Sequence, residues 1–217
     1  MNILMEESRL ATPMSQRKAT DLFSDWAASG RDVGMEKGHS NSVMTMLEAV
    51  LPGMNEGFTA IDVGCGNGWV VRKISAHPNC ANASGVDGAG TMIEKARAVD
   101  PEGSYTLAML PEWTPDEPVD LVHSMEFLYY LKDPMSFLKS VRNNWLKEDG
   151  WIVIGIDHYA ENEASHDWSS SLNVHMAMHT IDEWRQGFQA AGLRKVEAFQ
   201  TGEKDGWSGT LVLMGQK

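Results

Sequence analysis

Residues 61–68 of this chain read Ile-Asp-Val-Gly-Cys-Gly-Asn-Gly and follow a short apolar segment that begins at Phe58. The apolar run predicts a β-strand, and the apolar pattern from Trp69 onward predicts a helix directly after the glycines. Glycines at such a junction let the chain turn tightly and let a ligand approach bare backbone. The helix that follows offers unpaired N–H groups. The stretch therefore predicts a strand–loop–helix unit built to hold a ligand.

Strands and helices alternate along the rest of the chain. Strands are predicted at 58–63, 83–86, 105–109, 119–124, 151–156, 195–200 and 210–214, and helices at 69–76, 91–99, 134–146 and 181–191. This alternation indicates an α/β domain with a mostly parallel sheet and helices on both faces. No linker or low-complexity tract divides the 217 residues, so a single domain is expected over residues 54–217.

Residues 1–53 form a separate helical lead before the first strand. Apolar residues recur with helical spacing over 15–28, and a second helix is predicted over 39–51, after a break at the glycines of 30–34. A helical segment in front of a nucleotide-binding type of domain can fold over the carboxyl edge of its sheet. We therefore expect residues 1–53 to form an N-terminal helical lid.

An acidic residue accompanies the glycine loop. The predicted second strand ends at Asp87. A carboxylate at that point of an open α/β sheet can accept hydrogen bonds from both hydroxyls of a ribose. The loop and Asp87 together predict a nucleoside-containing ligand.

Four segments, taken in order, give the chain a family resemblance. Residues 62–68 resemble the first motif of the class I S-adenosylmethionine-dependent methyltransferases. Residues 86–88, with Met92 beyond them, resemble the second motif. Residues 120–131 are similar to the fourth-strand motif, and 146–151 to the turn before the fifth strand. The resemblance implies a Rossmann-like sheet of seven strands, mostly parallel, that ends with an antiparallel strand, and S-adenosylmethionine as cofactor.

The resemblance also assigns roles to individual residues. The glycine loop would hold the methionine part of the cofactor, Asp87 the ribose hydroxyls, and the positions after the third strand the adenine. Many relatives carry an acid at the adenine position, where Met109 cannot make the same hydrogen bond. The cofactor residues implied are Asp62, Gly64, Cys65, Gly66, Gly68, Asp87, Gly88, Met92, Met109, Leu110, Ser124 and Met125.

Two other functions stay open at this point. A nicotinamide-dependent oxidoreductase would carry the spacing G-x-G-x-x-G, whereas this loop has G-x-G-x-G preceded by Asp62. A non-catalytic protein that senses S-adenosylmethionine would share the loop and Asp87. The expected function is methyl transfer to a small molecule at oxygen, nitrogen or sulfur, by in-line displacement.

Residues 157–180 form a long polar insertion after the fifth strand, and such insertions are often functional. Catalytic roles are expected for His158, Tyr159 and His166, which follow that strand at its carboxyl end. Acceptor contacts are expected from Trp26, Arg31, His39, His123, Trp168 and His175. A metal site at His175 and His179 would require a helix there, and a solvated loop is the remaining alternative. We predict no metal.

Composition excludes several classes of partner. The net charge is −12, which opposes binding to phosphate backbones. No apolar run reaches the roughly 20 residues of a membrane span. The first residues lack a signal core, and the two cysteines form no disulfide framework. We expect a cytoplasmic protein with a small-molecule partner, no nucleic acid and no membrane, and the oligomeric state stays open.

Overall fold

A computed structural model of the chain describes residues 16–217. The helices are α1 (Ala19–Ala28), α2 (Val33–Val50), α3 (Trp69–Ser75), α4 (Gly90–Val99), α5 (Pro134–Ser140), α6 (Trp168–Leu172) and α7 (Ile181–Ala190). The strands are β1 (Phe58–Val63), β2 (Cys80–Asp87), β3 (Ser104–Leu107), β4 (Val119–Met125), β5 (Leu146–Ile156), β6 (Arg194–Thr201) and β7 (Thr210–Gln216).

The seven strands form one sheet in the order β3-β2-β1-β4-β5-β7-β6. The pairings among β1 to β5 are parallel, and β7 runs antiparallel to both β5 and β6. The predicted seven-stranded, mostly parallel sheet with a closing antiparallel strand is confirmed. The strand order reverses between β1 and β4, so the loops after these strands meet at the sheet's carboxyl edge.

Alternate residues of the central strands feed two cores on opposite faces of the sheet. Leu121 and Val153 pack with α2, α3 and α4, while Val122, Ile152 and Ile154 pack with α5 and α7. All five side chains are almost fully buried. A strand buried on both faces reads as a continuous apolar run, which is why residues 151–156 of β5 are so apolar in sequence.

Several element bounds differ from the sequence prediction, three of them by five or six residues. Helix α2 begins at Val33 rather than at 39, directly after Asp32, whose carboxylate accepts from Asn67 and Lys95. The helix from Pro134 ends at Ser140 and continues as a π-turn to Trp145. Strand β5 starts at Leu146, five residues early. Tertiary contacts set these bounds, and local sequence patterns do not show them.

The insertion 157–180 folds against the sheet as irregular backbone with the short helix α6. His175 and His179 lie in its irregular part, so the helical spacing that a metal site would need does not occur. Within residues 16–217, no cluster of three or more His, Cys, Asp or Glu side chains is arranged to hold a metal. In the same part of the chain, no helix is both long and apolar enough to cross a bilayer.

Candidate functional site

A cavity of about 510 Å³ lies at the carboxyl edge of the sheet, under α1 and α2. Its size is within the usual range for small-molecule sites. Its walls come from α1, α2, the loops after β1 to β4, and α6. The lining residues are Ala19, Thr20, Phe23, Trp26, Met35, His39, Gly64, Gly66, Asp87, Gly88, Met92, Met109, Leu110, Met125, Glu126, Phe127, Tyr129, Tyr130, Asp167, Trp168, Ser171 and Leu172.

The glycine loop reaches the cavity at two of its three glycines. Gly64 and Gly66 line it, both with positive φ, 72° and 52°. A Cβ on Gly66 would point into open space, with its nearest neighbour 3.9 Å away, whereas a Cβ on Gly64 would lie 2.6 Å from Phe127. Gly68 is placed elsewhere: it precedes α3 and packs against the ring of Tyr105. The bare backbone at Gly66 is therefore open to a ligand.

Asp87 lies beside this loop with both carboxylate oxygens oriented by backbone. Its Oδ2 accepts the N–H of Gly66 at 2.9 Å, and its Oδ1 accepts the N–H of Ala89 at 2.7 Å. Burial raises the pKa of Asp87, and the N–H groups of Ala89 and Gly66 oppose that rise. Each carboxylate oxygen has a second lone pair, so the group fits a ribose diol.

The expected adenine wall is apolar. Gly88, Met92, Met109 and Leu110 all line the cavity. A Cβ on Gly88 would lie 2.7 Å from the Cγ2 of Thr20 in α1. The N-terminal helices thus contact the loop after β2 directly, and residues 1–15 of the predicted lid lie outside the described residues.

A small recess of about 30 Å³ adjoins the cavity beneath the glycine loop. Asp62 and Cys65 line it, and the Nδ1 of His123 lies 2.7 Å from the Oδ1 of Asp62. His123 is fully buried and is absent from the cavity wall. Ser124 is likewise buried and donates to the carbonyl of Val63 at 2.8 Å. These two residues support the loop from below.

Aromatic rings also line the cavity. Phe23 packs edge-on against Trp26 and Tyr130, each with centroids 5.3 Å apart. Tyr129 and Tyr130 lie at 4.5 Å from each other. Trp168 of α6 completes the wall. The predicted acceptor residues Trp26, His39 and Trp168 thus share one cavity with the predicted cofactor residues.

Glu126 is a site residue that the sequence reasoning missed, as it missed Phe23, Tyr129 and Tyr130. It lines both the cavity and the recess and has a positive φ of 57°. Its Oε2 accepts the hydroxyl of Tyr129 at 2.7 Å, and its Oε1 accepts the N–H of Asp157 at 2.5 Å. Left-handed backbone in a residue other than glycine costs roughly 1–3 kcal/mol and concentrates at functional sites. The signal available in the sequence was an acidic residue directly after β4.

Buried acids surround this position. Burial raises the pKa of Glu126 well above its usual value, and the nearby Asp157 adds to the effect. Asp157 is 5% exposed, and its Oδ1 has no hydrogen-bond partner within residues 16–217. The Nδ1 of His39 lies 3.8 Å from the Oδ2 of Asp157. Burial lowers the pKa of His39, and Asp157 opposes that shift.

The three residues expected to be catalytic lie outside the cavity. His158 is buried behind the wall, with its Nδ1 3.0 Å from the carbonyl of Ser165 and its ring against Tyr129 and Trp168. The hydroxyl of Tyr159 donates to a carbonyl of the β6–β7 connection. His166 is exposed beside the carbonyl of Ala160.

Besides His123, two other residues expected to contact the acceptor lie outside the cavity. Arg31 is exposed in the turn before α2. His175 is partly buried, with its Nε2 3.2 Å from the carbonyl of Leu131. Neither side chain lines the cavity. Spacing in the sequence cannot show which residues of an irregular segment turn inward.

Comparison with known proteins places this geometry in context. Residues 19–198 match the family model described as a methyltransferase domain. A trans-aconitate 2-methyltransferase of Rhizobium rhizogenes is 35% identical over 95 residues, which cover 44% of this chain and 37% of that protein. One from Azoarcus sp. is 25% identical over 157 residues, covering 68% and 62%. The chain spans roughly half the length of such curated relatives.

Solved structures agree on the fold. The methyltransferase in a complex with the Haloferax volcanii activator Trm112 superposes with a TM-score of 0.77 and 29% identity, covering 93% of this chain and 99% of that one. The N-methyltransferase NodS of Bradyrhizobium japonicum, solved with S-adenosyl-L-homocysteine, gives 0.65 at 17% identity, covering 82% and 86%.

Proposed function

This chain belongs to the S-adenosylmethionine-dependent methyltransferase family, and from that premise we propose that it transfers a methyl group to a small molecule bound in the 510 Å³ cavity. The observation that carries the proposal is the continuity of this cavity. One space joins the glycine loop and Asp87, which fit the cofactor, to aromatic rings from α1, from the segment after β4 and from α6.

The residues present fit S-adenosylmethionine. Gly66 offers bare backbone to the methionine part, Asp87 offers two oriented oxygens to the ribose, and Met109 and Leu110 offer an apolar wall to the adenine. The bound cofactor supplies an electrophilic methyl group on a sulfonium. The protein's part in such a displacement is to align the acceptor and exclude water.

Binding and turnover experiments separate this proposal from its two rivals. Calorimetry should show tight binding of S-adenosyl-L-homocysteine and none of NADH, whereas an oxidoreductase would show the reverse. Incubation with S-adenosylmethionine and pooled metabolites should then release S-adenosyl-L-homocysteine in step with a methylated product. Cofactor binding without any product from a broad pool would favour a sensor and contradict the proposal.

We also propose that an activator protein of the Trm112 type binds this chain. The support is the solved complex noted above, whose methyltransferase aligns with 93% of this chain at 29% identity. Mixing the protein with Haloferax volcanii Trm112 should give co-elution on size exclusion and higher methyl transfer. Separate elution with unchanged activity would contradict the pairing.

A further inference from the structure

The charge of the cavity wall restricts the acceptor. Among the lining residues that the structure describes, the acids are Asp87, Glu126 and Asp167, and no lysine or arginine occurs. Asp87 is already assigned to the ribose. A carboxylate acceptor such as trans-aconitate would find no cationic partner here other than His39. The wall therefore lacks the positive charges that would pair with an anionic substrate.

The same wall suits a positive charge. The rings of Phe23, Trp26, Tyr129 and Tyr130 contact one another in this wall, and the Tyr129 hydroxyl donates to Glu126. Aromatic faces attract cations, more strongly when water is excluded. An enclosure of rings with one carboxylate at its base is complementary to an ammonium group on an apolar body.

Glu126 sits where the two halves of the site meet. It lines the aromatic cavity and also the recess beneath the glycine loop, as do His39 and Met125. The methionine part of the cofactor is assigned to that loop, so the transferable methyl group should face this junction. Its carboxylate is held by the Tyr129 hydroxyl and the Asp157 N–H, which leaves further lone pairs for a substrate.

We propose, on the basis of the methyltransferase function above, that the acceptor is an amine that enters as an ammonium ion and that Glu126 takes up the proton its nitrogen must lose. The N–H bond breaks and the proton goes to a Glu126 oxygen. The freed lone pair on nitrogen forms a bond to the methyl carbon while the carbon–sulfur bond breaks, its electron pair staying on sulfur. The products are a methylated ammonium ion and S-adenosyl-L-homocysteine, and Glu126 later releases its proton to solvent.

The environment of Glu126 suits a proton acceptor. A general base works best when its pKa lies near the working pH, and burial with the neighbouring Asp157 shifts the Glu126 pKa upward in that direction. The titratable groups around it are Tyr129 and Tyr130 after β4, Asp157 after β5, and His39, Asp62 and Cys65 in the shared recess. Proton uptake needs the ionised carboxylate, so activity should rise with pH as the ionised fraction of Glu126 grows.

Matched acceptors test the substrate class. Each set shares one apolar body and ends in an amine, an alcohol, a thiol or a carboxylate, for example 2-phenylethylamine, 2-phenylethanol, 2-phenylethanethiol and 3-phenylpropanoate. Methylated amines should dominate the products. Methylation mainly of acids, alcohols or thiols would overturn this inference while leaving the methyltransferase proposal standing. No methylation of any acceptor would count against both.

Glu126→Gln tests the role of the carboxylate. We expect turnover of amines to fall roughly 10²–10⁴-fold and binding of 2-phenylethylamine to the S-adenosyl-L-homocysteine complex to weaken in calorimetry. Affinity for S-adenosyl-L-homocysteine itself should stay near wild type and show that the variant is folded. Glu56→Gln, exposed in the turn before β1, is the matched control and should change nothing.

Tyr129→Phe tests the positioning of Glu126 through pH. The Tyr129 hydroxyl lowers the pKa of Glu126 through its hydrogen bond, so its loss should raise that pKa and move the acidic limb of the kcat profile to higher pH. An unmoved limb, or a Glu126→Gln variant with wild-type turnover, would overturn the assignment of the proton to Glu126.

Discussion

Replacing Asp87 by asparagine should weaken cofactor binding without unfolding the protein. The wild-type carboxylate accepts the N–H groups of Gly66 and Ala89, at 2.9 and 2.7 Å, through different oxygens. Asparagine keeps one oxygen, and its amide nitrogen would face one of the two N–H groups as a second donor. The side chain can then satisfy only one backbone donor, and it presents no charge to the ribose.

The size of the effect follows from these bonds. Two charge-assisted hydrogen bonds to the ribose are worth roughly 1.5–3 kcal/mol each, and neutral replacements about 0.5–1.5 kcal/mol each. The difference, about 2–3 kcal/mol, corresponds to a rise in Kd of roughly 30–150-fold.

Calorimetric titration with S-adenosyl-L-homocysteine measures this change directly. Circular dichroism and thermal denaturation check that the Asp87→Asn variant is folded. Asp205→Asn, at an exposed position between β6 and β7, is the control and should bind like wild type. A folded Asp87→Asn protein whose Kd stays within threefold of wild type would refute the ribose assignment.

Three further predictions address the loop, the buried acid and the insertion. In denaturant titrations, Gly64→Ala should lower the free energy of unfolding by about 1–3 kcal/mol, because the new Cβ would lie 2.6 Å from Phe127 and the residue has a positive φ. Gly34→Ala should raise the free energy of unfolding by about 0.5–1 kcal/mol, because a Cβ at this position of α2 meets open space. Glu126 holds its proton more tightly in the folded state, so the wild-type protein should lose stability as pH rises above the ordinary carboxyl pKa. The melting temperature of Glu126→Gln should therefore exceed that of wild type by an amount that grows from about pH 4 to pH 8. A difference in melting temperature that does not change with pH would contradict the raised pKa. His158→Ala should keep kcat within a few-fold of wild type and raise the KM for the acceptor, because His158 packs behind the cavity wall. A loss of roughly 10²–10⁴-fold in kcat would instead support His158 as the general base expected from the sequence.

The sheet and the positions of the glycine loop and Asp87 were predictable from sequence because they depend on local patterns. Apolar periodicity marks buried strands, and the glycine loop carries its own backbone requirement at Gly64 and Gly66. The cavity contains both of these glycines together with Asp87, Gly88 and Met92. Their placement agrees with the expectation, and their contacts with the cofactor stay a prediction.

The acceptor half was harder because its residues come together only in three dimensions. His158 follows β5, and chain position alone suggested an inward side chain, yet its ring lies behind Trp168 and Tyr129. Glu126 reaches the cavity because its backbone adopts a left-handed conformation after β4. No apolar or helical period encodes that turn, so side-chain direction there could not be inferred from the sequence.

The most direct test of the account is a crystal structure of the protein with S-adenosyl-L-homocysteine. We expect both ribose hydroxyls within hydrogen-bonding distance of the Asp87 carboxylate, the methionine part along Gly64 and Gly66, and the sulfur facing Glu126. A ligand bound outside this cavity, or one whose sulfur faces away from Glu126, would contradict it.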